Sequence, residues 1–117
     1  MAAKSARKPR AQDSAGTARR NTDLLQASYT GDLPGVRNAL YDGAEVDCVH
    51  EQTGLSALHI AIGTNNLPMT RFLIEEAEAR IGPDRSGRWP SVIAAECEVD
   101  EALADYVLEA EAKLIAS

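Results

Sequence analysis

Residues 54–66 read GLSALHIAIGTNN, and residues 67–79 continue LPMTRFLIEEAEA. A short apolar segment, a polar break and a second apolar segment follow one another, which predicts a helix, a turn and a second helix. Pro68 falls in the first turn of that second helix, where a missing N–H removes no intrahelical bond. His59 lies inside the first segment. It is either a reactive group or part of the architecture, and the choice separates an enzyme from a binding scaffold.

The same pattern occurs three times. LLQASYTGDLPGVRNALYDGAEVD at 24–47 and SVIAAECEVDEALADYVLEAEA at 91–112 align with LHIAIGTNNLPMTRFLIEEAEA at 58–79. The alanines Ala27, Ala61 and Ala94 are the anchors, spaced 34 and 33 residues apart. DLP at 32–34 is echoed by NLP at 66–68, and the pairs Ala39-Leu40, Leu73-Ile74 and Tyr106-Val107 stay in register. Such periods mark repeat arrays, in which each unit leaves an apolar face that only a stacked neighbour can bury. The first unit's second helix is expected to end at Gly43, a residue suited to a left-handed C-terminal position. AEVDCVHEQTG, residues 44–54, then reads as a short extended connector. The fold class is therefore an all-α stack of about three helix-turn-helix units.

The chain resembles the ankyrin repeat family over residues 22 to about 116. SALHIA at 56–61 matches four of the five specified positions of the T-P-L-H-x-A signature if Ser56 stands in for Thr. DGAEVD at 42–47 looks like the family's turn between repeats, and DRSGRWPSVIA at 84–94 like a diverged repeat opening. The first unit lacks the signature, and the third has Ser91 and Val92 where Leu and His are expected, as terminal capping repeats tend to do. The implied units span about 22–50, 51–83 and 84–117, with His50 read as the extra residue behind the 34-residue interval. In this family the signature Thr and His tie turn to helix, a structural role that passes to Ser56 and His59.

Charge divides the chain. Residues 1–21 hold six bases against one acid, a balance of +5, while the remainder holds six bases and seventeen acids, a balance of −11. The first segment has no Leu, Ile, Val or Phe, so a disordered tail is expected, with order starting at a cap among Asn21, Thr22 and Asp23. Cys48 and Cys97 do not form a disulfide framework and suit a reducing, cytoplasmic setting. No apolar run is long enough to span a bilayer.

No nucleotide-binding or nucleophile-elbow motif is present, and nothing supplies His59 with a nucleophile and an orienting acid. Cys48, His50, His59 and Cys97 lack the spacings of a zinc site. The expectation is a protein without catalytic residues, cofactor or metal. The resemblance implies a binding groove built from connector tips and first helices. Its variable positions map onto Val49, Gln52, Thr53, Leu55, Gly63 and Thr64, and onto Arg85, Ser86, Arg88, Glu96 and Cys97 in the third unit. The connector residue His50 and Trp89, at the signature's Thr position, are further partner-binding candidates. Trp89 is either core beneath the connector or an interaction hot spot with the two arginines. The expected function is a monomeric interaction module that binds and masks one specific protein with a basic surface. The alternative is an adaptor whose basic tail holds nucleic acid or an acidic membrane while the repeats hold a protein.

Overall fold

The computed structural model describes residues 10–116. Six helices follow in order: α1 Arg10–Thr30, α2 Leu33–Tyr41, α3 Ala57–Gly63, α4 Leu67–Glu75, α5 Pro90–Glu96 and α6 Glu101–Ala116. They form three antiparallel pairs stacked along one direction, with the first helices α1, α3 and α5 packed side by side. The core runs through all three units: Leu24, Val36 and Ala39 in the first, Leu58, Ile62, Met69 and Leu73 in the second, Ile93, Leu103 and Val107 in the third.

Each pair turns by the same device. The N–H groups of Asp32, Asn66 and Val99 donate to the carbonyls of the anchor alanines Ala27, Ala61 and Ala94, at 2.8, 2.9 and 3.2 Å. The reversal needs one left-handed residue, and Gly31, Asn65 and Glu98 take φ of 76°, 61° and 53°. Asp32 and Asn66 then cap the next helix through their side chains, accepting from Gly35 and Met69 N–H. Pro34 and Pro68 occupy the opening turns of α2 and α4. Gly43 adopts φ 112° after α2, and Ala44 N–H returns to the Ala39 carbonyl at 2.9 Å. A second ladder crosses the stack. The Arg37 guanidinium lies over the Phe72 ring and Arg71 over Tyr106, both contacts repeating at 34 residues.

The N-terminal boundary differs from the sequence expectation. Residues 10–21 are helical, and Asn21, Thr22 and Asp23 lie inside α1 rather than capping it. A helix already nucleated by the packed turn around Leu24 and Leu25 extends at low cost through Ala- and Arg-rich sequence, because propagation is far easier than nucleation. Asn21 instead staples the first connector. Its Oδ1 accepts from Glu45 N–H at 2.8 Å, as Asp47 Oδ1 accepts from Arg80 N–H one layer later. Residues 1–9 of the expected tail lie outside the described residues.

Candidate protein-binding groove

Two hairpin turns project from the stack between successive pairs. In the first, His50 N–H donates to Leu55 O at 2.9 Å, and Gly54 N–H returns to His50 O at 2.8 Å. An antiparallel bridge joins Val49 and Ser56 at its base. In the second, Asp84 N–H donates to Arg88 O at 2.9 Å and Gly87 N–H to Asp84 O at 3.0 Å. His50 and Asp84 are thus equivalent, and the additional residue of the first hairpin lies among Glu51–Thr53, not at His50. Sequence could not place it, because nothing in the HEQTG string (50–54) marks which residue the turn absorbs.

His59 sits at the start of α3, 5% exposed. Its Nδ1 accepts from Ser56 N–H at 3.2 Å, and His59 N–H donates to Ser56 Oγ at 3.4 Å, completing a reciprocal cap. Because Nδ1 must accept, the proton resides on Nε2, which donates to the Gly82 carbonyl at 2.8 Å. Both ring nitrogens are committed, one to its own turn and one to the following connector. The third unit has Trp89 and Val92 at these positions and no side-chain cap at Trp89. There the α6 carboxylate of Glu111 reaches across to Ser91, accepting from its N–H at 2.7 Å and its hydroxyl at 2.9 Å.

Asp84 organises the second hairpin. Its carboxylate accepts from the N–H groups of Ser86 and Arg88, the Ser86 hydroxyl and the Arg88 guanidinium, each at 2.9 Å. Burial pushes this carboxyl up, but the bonds from Arg88 and Ser86 and the Arg88 charge outweigh it and hold it at about 2. Arg88 also pairs with Glu96 at 3.0 Å. Arg85 covers Gly54 and donates to Glu51 O at 2.8 Å, joining the hairpins. Of the expected third-unit cluster, then, Arg85, Ser86 and Arg88 all carry contacts within the chain. Trp89 is 37% exposed.

Val49, His50, Gln52, Thr53 and Leu55 converge on one groove of about 760 Å³ between the first hairpin and α1. The α1 wall is Ala18, Asn21, Thr22, Leu25, Gln26 and Tyr29, with Ile60 also lining the groove. Arg85, Ser86, Arg88 and Trp89 do not line it. First helices were expected to line the groove, but the individual residues of the α1 wall were not named from sequence. A helical projection contains the signal, since burying Leu24, Ala27 and Ser28 turns Thr22, Gln26 and Tyr29 outward. Tyr29 is 70% exposed, and an exposed tyrosine beside an open groove supplies contact area at low entropic cost. Burial, reinforced by Glu45 and Asp47, pushes the Cys48 thiol up to about 11, so it faces the groove as a neutral group. No group of three or more His, Cys, Asp or Glu suited to a metal ion occurs among the described residues. No helix among them is long and apolar enough to cross a membrane.

Stacked helix pairs, projecting hairpins and a lateral groove define a helical-repeat scaffold. The chain belongs to the ankyrin-repeat family: a family model for ankyrin repeats matches residues 24–116 in three copies. Comparison with curated proteins finds no match. Ankyrin repeats are generally protein–protein interaction modules and typically non-enzymatic.

Proposed function

We propose that this protein binds and masks one specific protein partner in the groove between α1 and the first hairpin. The observation that carries the reading is a groove of about 760 Å³ whose two walls are fixed by the chain's own bonds and whose interior the chain does not fill. Gln26, Gln52, Thr22 and Thr53 offer neutral polar groups around the apolar Leu25, Leu55 and Ile60, the mixed surface that protein partners use. The −11 balance beyond residue 21 favours a partner with a basic surface, drawn in by long-range attraction. Free Cys48 and Cys97 fit a cytoplasmic setting, and a small stack whose core is buried within its own units fits a monomer.

The test is affinity capture from the native source with the full chain, comparing wild type, Tyr29→Ala/Gln52→Ala and Tyr41→Ala. Tyr29 and Gln52 line the groove, whereas Tyr41 is exposed away from it. Capture of one partner by wild type and Tyr41→Ala but not by the groove variant is expected, with circular dichroism unchanged. Equal capture by all three would remove the groove from the reading.

A second reading rests on the +5 balance of residues 1–21, which favours nucleic acid or an acidic membrane as a further ligand of that segment. Filter binding with Lys4, Arg7, Lys8 and Arg10 changed to Gln separates the nucleic-acid arm. No binding by wild type would remove it.

A further inference from the structure

The two hairpins close at equivalent residues by two chemistries. Asp84 bends into its turn and accepts from Ser86 and Arg88 N–H at 2.9 Å. At the equivalent place the His50 ring bends into its turn, and Nδ1 accepts from Gln52 N–H at 3.2 Å and Thr53 N–H at 3.3 Å. A carboxylate with two oxygens retains acceptor capacity far into acid. An imidazole has a single ring lone pair, and the two N–H groups of Gln52 and Thr53 share it.

We infer that His50 is a proton-operated latch on the groove wall. With Nε2 carrying the ring hydrogen, a second proton taken from solvent can go only to Nδ1. It removes the lone pair and sets an N–H against two backbone N–H groups. The tip Gln52–Thr53 then loses its tie and the wall of the groove loosens. Imidazole is the side chain whose charge change ordinarily falls between about pH 5 and 8, which sets the range over which the latch is tested.

The charged and titratable groups nearest the latch lie on three elements. The hairpin's own ionisable neighbours are Glu51, exposed, and Cys48, a neutral thiol. Across the groove α1 contributes Tyr29. From the second hairpin Arg85 brings a fixed cation to the Glu51 and His50 carbonyls at 2.8 and 3.4 Å. The latch itself stands on hairpin geometry alone; its consequence, partner held near neutral pH and released in acid, rests on the groove reading above.

The experiment is amide NMR on the full chain from pH 8 to pH 5, with His50→Asp as the comparison. In wild type the Gln52 and Thr53 resonances should follow the His50 ring titration. Their protection from exchange, corrected for intrinsic rate, should fall about tenfold. In His50→Asp, which gives the first hairpin the acceptor of the second, that transition should vanish. The His59 ring is distinguished by its own contacts, Ser56 and Gly82. Gln52 and Thr53 amides that stay fixed while the His50 ring titrates, or that move equally in His50→Asp, would overturn the inference. Partner capture repeated at pH 7.5 and 5.5 keeps the readings apart. Loss at both values counts against the groove, whereas the NMR outcome alone decides the latch.

Discussion

The second and third units open onto the same backbone path and secure it with different groups. In the second, a buried histidine caps its own helix through Nδ1 and grips the next connector through Nε2. In the third, where Val92 replaces that histidine, Asp84 gathers the hairpin and Glu111 caps α5 from the neighbouring helix. What the repeat keeps is a pattern of satisfied donors, not a pattern of residues. Buried N–H groups must find an acceptor, and any side chain that supplies one preserves the turn. This explains how the signature decays in the third unit while the helix-turn-helix survives.

If one residue secures the second unit, removing it should cost most. His59→Ala deletes the cap acceptor, frees the Gly82 carbonyl and leaves a void, with an expected loss of about 3 kcal/mol in urea unfolding. A loss below about 1 kcal/mol would mean that the turn is held by packing alone. The third unit divides its support, so Asp84→Asn should cost less, about 2 kcal/mol at neutral pH. Its pH dependence is a second check. The folded carboxyl titrates at about 2, below the usual value near 4, so its stabilisation is complete above about pH 4 and disappears as pH falls through about 2. The gap between wild type and Asp84→Asn should therefore close over that window. A gap unchanged from pH 5 to pH 2 would break the assignment of Asp84 as the organiser.

The period of alanines and the SALHIA segment (56–61) made the stack legible, because burial at fixed intervals is what stacking requires. Legibility failed where a choice depended on the tertiary partner. Nothing in residues 10–20 marks where a helix begins, since the extension follows from packing that starts at Leu24. Hairpin positions from Val49 to Leu55 were readable by family register, and they do line the groove. Arg85 and Arg88 read as a binding cluster, yet their guanidinium groups bind two carbonyls and two carboxylates of the same chain. A long basic side chain looks the same in sequence whether it points to solvent or folds back, and only the position of the acceptors decides.

The smallest effects test the comparison at its sharpest, because they predict opposite signs at equivalent positions. Asn65 and Glu98 are both left-handed, at φ 61° and 53°, in the turns of the second and third units. A residue with a Cβ pays roughly 1–2 kcal/mol there, less for Asn, and glycine escapes this strain while adding freedom to the unfolded chain. Glu98→Gly should therefore stabilise the protein by about 0.5 kcal/mol, since no side-chain bond from Glu98 is lost. The Asn65 side chain, by contrast, reaches the next unit, where its Oδ1 accepts from Asp100 N–H at 2.9 Å at the start of α6. Asn65→Gly removes that bond and should destabilise by about 0.5–1 kcal/mol. Urea midpoints of the two variants, moving in opposite directions from wild type, would show that the second unit's turn serves its neighbour while the third unit's serves only itself. Movement in the same direction would mean that backbone strain alone governs both.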